Sequence, residues 1–210
     1  MANEKLPVED KKTIEKCIAW LRTNFEDKIK AAVNNTPFTV EHIVGIAMQE
    51  TAYKWKLWLD KYSTEIILQR CIFDASGDLP NTTRSAFPVN RDVFEKIYGA
   101  DFTKILILEG NKQRAMPQSQ NPKVFQPAPY LYKGYGIFQY DLQFVKEDRA
   151  FFEQKKWYNF DECLSRVMLE LNTKIVASKG DIKTAIRMYN GSGSSAVNYS
   201  NNVMQYVGMC

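Results

Sequence analysis

The feature that most constrains the fold is the recurrence of apolar residues at three- and four-residue steps in long segments near both ends of the chain. One such stripe lies between Thr13 and Val33, and another runs from Cys163 to Val176 and ends at Gly180. This spacing places the apolar residues on one face of a helix. Both segments are therefore predicted to be long amphipathic helices. Their apolar positions are Ile14, Cys17, Ile18, Leu21, Phe25, Ile29, Ala32 and Val33 in the first, and Cys163, Leu164, Val167, Met168, Leu171, Ile175 and Val176 in the second.

Capping residues predict shorter helices between and after these two. Thr39 is a plausible N-cap for a helix that runs to about Glu50, and Asn90 for one that Gly99 stops. Asp101 is expected to cap the next helix. Another helix follows Asp181, with Ile182, Ala185, Ile186 and Tyr189 facing inward, and a final one begins near Ser194 or Ser195.

Two central segments lack helical periodicity. Residues 71–90 contain Gly77 and Pro80 with few periodic apolar positions, which indicates loops and leaves room for a short hairpin. Residues 111–133 contain four prolines, which predicts an ordered loop or a lid. The fold class predicted is therefore mainly α (α+β), with a small irregular or β-containing lobe.

Composition narrows the functional classes. The chain of 210 residues is 45% hydrophobic, which is enough for one substantial core, and its net charge is only +4. No basic stripe or RNA-binding motif occurs, so we expect no nucleic-acid partner. The four cysteines are scattered and His42 is the single histidine, so we expect neither a metal site nor a cofactor. Disulfides and free thiols both remain open for the cysteines.

The N-terminal residues MANEKLPVEDKK are charged and lack an apolar signal-peptide core. No later stretch has the length and apolarity of a membrane span, so no transmembrane segment is expected. If the substrate lies outside the cytoplasm, the expected route is delivery during phage lysis or by secretion machinery.

Glu50 is the first candidate for chemistry. It follows Ala47 by three residues, Ile46 by four and Ile43 by seven, so helical geometry places its carboxyl on the apolar side. Burial disfavours the charged form and raises a carboxyl pKa, which lets a glutamic acid act as a general acid near neutrality. Taken alone, a half-exposed glutamate paired with a cation at a helix end is the commoner arrangement.

Two further segments carry candidate binding groups. In GYGIFQYD, residues 134–141, the glycines let the backbone approach a ligand closely, and the Gln139 amide suits the hydroxyl and N-acetyl groups of an amino sugar. In AIRMYNGSG, residues 185–193, Tyr189 faces inward, where its hydroxyl can bond a carboxyl or a sugar. Each segment alone equally fits an ordinary glycine turn or a helix end.

Read in order, the three segments resemble the goose-type lysozyme and soluble lytic transglycosylase family of peptidoglycan-cleaving enzymes. That family has a catalytic Glu-Ser at a helix end, a Gly-Leu-Met-Gln-type motif and an Ala-Tyr-Asn-Gly-type motif. They correspond here to Glu50-Thr51, Gly136-Ile137-Phe138-Gln139 and Met188-Tyr189-Asn190-Gly191. The long separation of Glu50 from Gly136 implies a single lysozyme-like domain, 1–210, with an inserted lobe at about 52–130.

The resemblance implies the following roles. Glu50 protonates the glycosidic oxygen between N-acetylmuramic acid and N-acetylglucosamine. Tyr189 lies near Glu50 or the acetamido group, and Gln139 holds the sugars with the backbone around Ile137. Gly136 and Asn190 belong to the same substrate-binding set. The expected partners are peptidoglycan glycan strands and an inhibitor or immunity protein, and the expected place of action is the bacterial cell wall or periplasm.

Several alternatives stay open. Glu50 can act alone and yield a 1,6-anhydro end, as the resemblance favours, or activate water and yield a reducing end. Asp74, Asp78 and Asp141 are candidate second carboxylates, of which none is placed in the catalytic set. The rival functions are a non-catalytic module that binds glycan or a partner protein, and a chitin or chitosan hydrolase on the same fold.

Overall fold

The computed structural model describes residues 5–118 and 125–210. The first four residues of the charged N-terminal segment and residues 119–124 of the predicted loop lie outside the described residues. The chain divides into two compact units. The terminal unit comprises Met1–Leu59 and Leu164–Cys210, and the central unit comprises Asp60–Cys163. The central unit therefore contains Gly136, Ile137 and Gln139.

The described residues are mainly helical with one small antiparallel sheet, which confirms the predicted fold class. Within them, no helix is both long and apolar enough to cross a membrane. The helices are α1 (Lys11–Val33), α2 (Val40–Trp55), α3 (Thr64–Gln69), α4 (Arg91–Tyr98), α5 (Ala100–Arg114), α6 (Arg149–Glu153), α7 (Phe160–Ala177), α8 (Ile182–Asn190) and α9 (Gly193–Val207). The strands are β1 (Ile72–Phe73), β2 (Gly134–Tyr135) and β3 (Tyr140–Asp141), and 3₁₀ turns span Leu142–Lys146 and Lys156–Tyr158.

Local capping explains where the first two helices begin. The Asp10 carboxylate accepts from the Thr13 amide at 2.8 Å at the start of α1. Thr39 is the N-cap of α2, as predicted, and its amide donates to His42 Nδ1 at 3.1 Å. The single histidine thus serves the helix terminus, where the first backbone N–H groups have no partner within the helix.

Helix α2 continues beyond Glu50, so its predicted end was wrong by five residues. Thr51 and Trp55 explain the extension. Both side chains are fully buried, and Trp55 Nε1 donates to Thr51 Oγ1 at 2.9 Å. This pair is one helical turn apart, so its burial favours a further turn of helix. Glu50 consequently lies within α2 rather than at its terminus.

The core of the terminal unit is built around α2, which packs against α1 and α9. Gly45 lets α2 and α9 approach closely, because a Cβ atom at this position would lie 3.0 Å from the Val203 carbonyl oxygen. The Tyr206 hydroxyl on α9 accepts from the Val8 amide and donates to the Val8 carbonyl, which fastens the N-terminal segment. The fully buried apolar side chains of this core include Ile43, Val44, Ile46, Met48, Ala52, Trp55, Ala185, Ile186 and Val203.

The central unit is organised by its sheet, in the order β1-β2-β3 with antiparallel pairing. Ile72 pairs with Tyr135, and Gly134 pairs with both Phe73 and Asp141. The strand in the predicted loop at 71–90 therefore pairs with β2, far along the chain, and not within a local hairpin. Aromatic rings cover the sheet, with Tyr135 5.3 Å from Phe152 and 4.9 Å from Trp157 between ring centroids.

Three further sequence expectations differ from the structure. Gly99, not Asp101, is the N-cap of α5, because α5 begins directly after α4 ends. Helix α5 extends to Arg114, so the first residues of the predicted loop are helical. Val176 is 78% exposed and leaves the predicted stripe, since five residues after Leu171 is roughly 140° around a helix.

All four cysteines lie in the described residues and are free thiols. Cys17, Cys71 and Cys163 are buried, whereas Cys210 is exposed. Burial raises the pKa of Cys17 to about 12, so this thiol stays protonated and packs as a small apolar group.

Gly136 and Gly180 form a matched pair for a stability test. Both have positive φ, 81° and 88°, but a Cβ at Gly136 would lie 2.5 Å from Cys163 Sγ, while one at Gly180 would meet nothing within 4 Å. We expect Gly180→Ala to cost about 1–2 kcal/mol in unfolding free energy through backbone strain, and Gly136→Ala about 1–3 kcal/mol more through overpacking. Denaturant unfolding of both variants measures the difference, and equal losses would contradict the predicted clash.

Candidate active site

The strongest candidate site lies in the terminal unit, around the Glu50 carboxyl. Glu50 is half-buried on the face of α2 that carries Ile43, Ile46 and Ala47, all of which are buried. Helical spacing alone puts these four residues on one side. The structure therefore has the Glu50 carboxyl on the apolar face of α2, as the sequence predicted.

Tyr199 supplies the polar partner of Glu50. Its hydroxyl donates to Glu50 Oε1 at 2.7 Å, although the two residues are 149 positions apart in sequence. Tyr199 is 6% exposed, and it lies on the inner face of α9 with Ala196, Val203 and Tyr206. The hydrogen bond therefore joins α2 to α9 and holds the carboxyl in one orientation.

Glu170 on α7 is a charged group that acts on the pKa of Glu50. Desolvation by burial raises the pKa of Glu50 to about 7, the Tyr199 hydrogen bond opposes this rise, and the negative charge of Glu170 adds to it. A carboxyl with a pKa near 7 is populated in both protonation states at neutral pH. Glu50 can therefore give a proton and take one back without a change of environment.

Tyr189 lies close to the same pair. Its ring centroid is 6.3 Å from that of Tyr199. Burial raises the pKa of Tyr199 well above its usual value, and the charge of Glu50 and the presence of Tyr189 add to this effect. Tyr199 thus remains a hydrogen-bond donor across the physiological range. Asn190, the last residue of α8, is exposed, and Gly191 ends the helix.

The other three predicted site residues lie in the central unit, in the turn between β2 and β3. Gly136 and Ile137 are buried there, and Gln139 has a φ of 55°. The Gln139 amide donates to the Gly136 carbonyl at 2.8 Å and to the Cys71 carbonyl at 3.4 Å. A Cβ at Gly134 would lie 2.3 Å from Gln139 Oε1, so the glycine makes room for this amide. In this structure the amide stabilises its own turn.

The structure thus brings Glu50 and Tyr189 together through Tyr199, and it groups Gly136, Ile137 and Gln139 in one turn of the central unit. Sequence reasoning missed Tyr199 and Glu170. Tyr199 could have been found from the spacing of Ala196, Tyr199, Val203 and Tyr206, which marks the inner face of α9. For Glu170 no such signal exists, because an acidic residue beside an apolar stripe is normally a surface residue.

Thr51, which follows Glu50, does not face the site as a free hydroxyl. It is fully buried, and its hydroxyl donates to the Ala47 carbonyl at 3.3 Å and accepts from Trp55. Thr51 therefore stabilises α2, the helix that carries Glu50. Among residues 5–118 and 125–210, no group of three or more His, Cys, Asp or Glu side chains could hold a metal ion.

Comparison of the chain with models of protein families, with curated proteins and with solved structures gave no match in any of the three.

The raised pKa of Glu50 predicts a pH-dependent cost to folding. Below about pH 4.5 both the folded and unfolded chains carry a protonated Glu50, and as the pH rises to about 7 only the unfolded chain ionises freely. The wild-type protein should therefore lose on the order of 3 kcal/mol relative to Glu50→Gln across this window. Urea unfolding at several pH values measures the difference, and a constant difference would refute the buried carboxyl.

Tyr199→Phe tests the hydrogen bond separately. Loss of the hydroxyl removes an interaction that favours the carboxylate, so the pKa of Glu50 should rise above about 7. Carboxyl-carbon NMR titration, assigned by comparison with Glu50→Gln, measures this pKa. Tyr62→Phe is the matched control because Tyr62 is not among the groups that shift the pKa of Glu50. A pKa that stays constant or falls would contradict the assigned role of Tyr199.

Proposed function

We propose that the chain is a peptidoglycan-cleaving glycosidase that cuts the β-1,4 bond between N-acetylmuramic acid and N-acetylglucosamine, with Glu50 as general acid and base. The observation that carries this proposal is the Glu50–Tyr199 pair: a carboxyl on an apolar helix face, with a pKa near 7, held by one buried hydroxyl. The motif resemblance around Glu50, Gln139 and Tyr189 supplies the substrate class.

In the first step the protonated Glu50 carboxyl gives its proton to the glycosidic oxygen as the bond to the muramoyl C1 breaks. Its pKa favours this role, because a carboxyl that ionised at its usual pKa would hold almost no proton at neutral pH. The charge of Glu170 helps to keep the proton on Glu50 in the resting state. The breaking bond leaves positive charge on the sugar ring, which favours the newly formed carboxylate nearby.

In the second step the Glu50 carboxylate acts as base. The favoured acceptor is the 6-hydroxyl of the same muramoyl residue, whose oxygen bonds to C1 while its proton goes to Glu50, giving a 1,6-anhydro end. If water takes that place, its oxygen bonds to C1 and the product has a reducing end. Tyr199 supports both steps, since its hydroxyl bonds the carboxylate form and fixes the oxygen that it contacts.

Tyr189 is assigned to the sugar in this proposal. It lies next to Tyr199 with its side chain half-buried, which leaves part of the ring open to a ligand. Aromatic rings with a polar tip suit the mixed apolar and hydroxyl surface of a pyranose. The exposed Asn190 beside it is available for a hydrogen bond to the same glycan. The proposed place of action is the bacterial cell wall or periplasm.

The decisive experiment is release of soluble muropeptides from purified peptidoglycan by the wild-type protein, by Glu50→Gln and by Glu95→Gln. Glu95 is an exposed residue of α4, so its variant controls for loss of one negative charge. Glu50→Gln should lower the rate by about 10²–10⁴, the usual contribution of a general acid, while Glu95→Gln should retain the wild-type rate. The wild-type rate should also fall as the pH rises past about 7.

The masses of the products distinguish the two second steps, because a 1,6-anhydro end is lighter than a reducing end by one water. Circular dichroism of the three proteins shows whether their folds are equal. Activity that survives in a folded Glu50→Gln would refute the assigned acid. If all three proteins are inactive on peptidoglycan and the wild-type protein cleaves chitin or chitosan fragments, the substrate is another glycan and not peptidoglycan.

A further inference from the structure

A second buried carboxylate, Glu109 on α5, lies in the central unit and is surrounded by positive charge. Its side chain is only 1% exposed. Lys112 Nζ and Lys155 Nζ donate to Oε1 at 2.7 and 2.9 Å, and the Tyr158 hydroxyl donates to Oε2 at 2.5 Å. Arg70 Nη1 lies 3.6 Å from Oε2. We call these five residues the Glu109 cluster.

The cluster carries more positive charge than Glu109 neutralises. Two ammonium groups and one guanidinium face a single carboxylate, which leaves a local excess of two positive charges. Burial acts to raise the pKa of Glu109, but the hydrogen bonds from Lys112, Tyr158 and Lys155 hold it below its usual value. Glu109 is therefore ionised, and the count of charges holds at neutral pH.

Hydrogen-bond donors also exceed acceptors in this cluster. Each ammonium has three N–H donors, and each uses one of them on Glu109 Oε1. Arg70 Nη1 is buried and has no hydrogen-bond partner among the described residues, because 3.6 Å is too long for such a bond. A carboxylate accepts at about four positions. The remaining donors are thus available to a second acceptor.

The exposure of these groups shows where that acceptor can approach. Glu109 is the most buried of the four charged side chains, and Arg70 is 16% exposed. The side chains of Lys155 and Lys112 are 34% and 52% exposed. The two ammonium groups therefore form a rim that is open to solvent. Since both contact the same carboxylate oxygen, their nitrogens are close enough for one further oxygen atom to contact both at about 2.7–2.9 Å.

We propose that the Glu109 cluster is an oxyanion-binding site of the central unit, in which the exposed Lys112 and Lys155 hold a carboxylate or phosphate oxygen and the more buried Arg70 adds its charge. This site does not depend on the proposed glycosidase activity. The alternative is a purely structural ion-pair network that joins α5 to the turns at Arg70 and Lys155. The two roles predict different responses to anions at constant ionic strength.

A structural network weakens when salt screens it, whereas a binding site gains stability when its ligand binds the folded state. The test titrates the wild-type protein with inorganic phosphate and, separately, with acetate, while sodium chloride keeps the ionic strength constant. We expect a saturable rise in melting temperature with at least one anion. A melting temperature that stays constant or falls with both would overturn the proposal.

Matched variants on α5 locate the effect. Lys112→Met removes one ammonium of the rim but leaves Lys155, Arg70 and Tyr158 on Glu109, and Lys104→Met removes an exposed lysine of the same helix outside the cluster. The half-saturating anion concentration should increase about tenfold in Lys112→Met, because one charge-assisted hydrogen bond to the anion is lost. It should remain unchanged in Lys104→Met. Equal effects of the two variants would refute the site.

Lysine side-chain NMR of the unmodified protein gives a readout that needs no variant. Titration with the effective anion should shift the Nζ and Cε signals of Lys112 and Lys155 along one saturation curve, while the signals of Lys104 stay in place. Signals that shift uniformly for all lysines would contradict a localised site. Comparison of the phosphate and acetate curves shows which of the two groups the rim prefers.

Discussion

The packing of α2 against α9 is the constraint on which the chemistry of the terminal unit depends. Gly45 allows the two helices to approach until a Cβ would lie 3.0 Å from the Val203 carbonyl oxygen. At this separation the Tyr199 hydroxyl reaches Glu50 Oε1. The same packing withdraws the carboxyl from water, which costs the charged form more than the neutral one and raises its pKa to about 7. Helix packing thus determines the acidity of Glu50.

Glu50 and Glu109 respond to their surroundings in opposite ways. Glu50 has one neutral hydroxyl donor and a nearby negative charge, so burial dominates and the proton is retained. Glu109 has two ammonium groups, a guanidinium and a hydroxyl, so hydrogen bonds dominate over burial and the proton is lost. The two carboxyls thus differ in the groups that contact them: Glu50 has a hydroxyl and a nearby negative charge, whereas Glu109 is surrounded by cations. A group poised to exchange its proton suits catalysis, and a permanently charged one suits the organisation of cations.

The turn of the central unit shows how one sequence pattern can serve structure. The sequence predicts that Gly136 and Gln139 bind substrate, because glycine lets the backbone approach a ligand closely and the Gln139 amide suits the groups of an amino sugar. In the structure that close approach is used internally: Gly134 accommodates the Gln139 amide, and Gly136 accommodates Cys163 Sγ. The closely packed glycines thus fit the tight turn in which β2 ends and β3 begins.

Sequence by itself determined the mainly helical class, the helix stripes and the caps at Thr39 and Asn90, because these depend on neighbours within one or two turns. It also placed Glu50 on an apolar helix face. Tertiary structure alone decided that α2 continues to Trp55, that β1 pairs with β2, and that Tyr199 and Glu170 act on Glu50. These depend on contacts between residues far apart in the chain, and helical or strand periodicity shows which face is buried without showing what that face will meet.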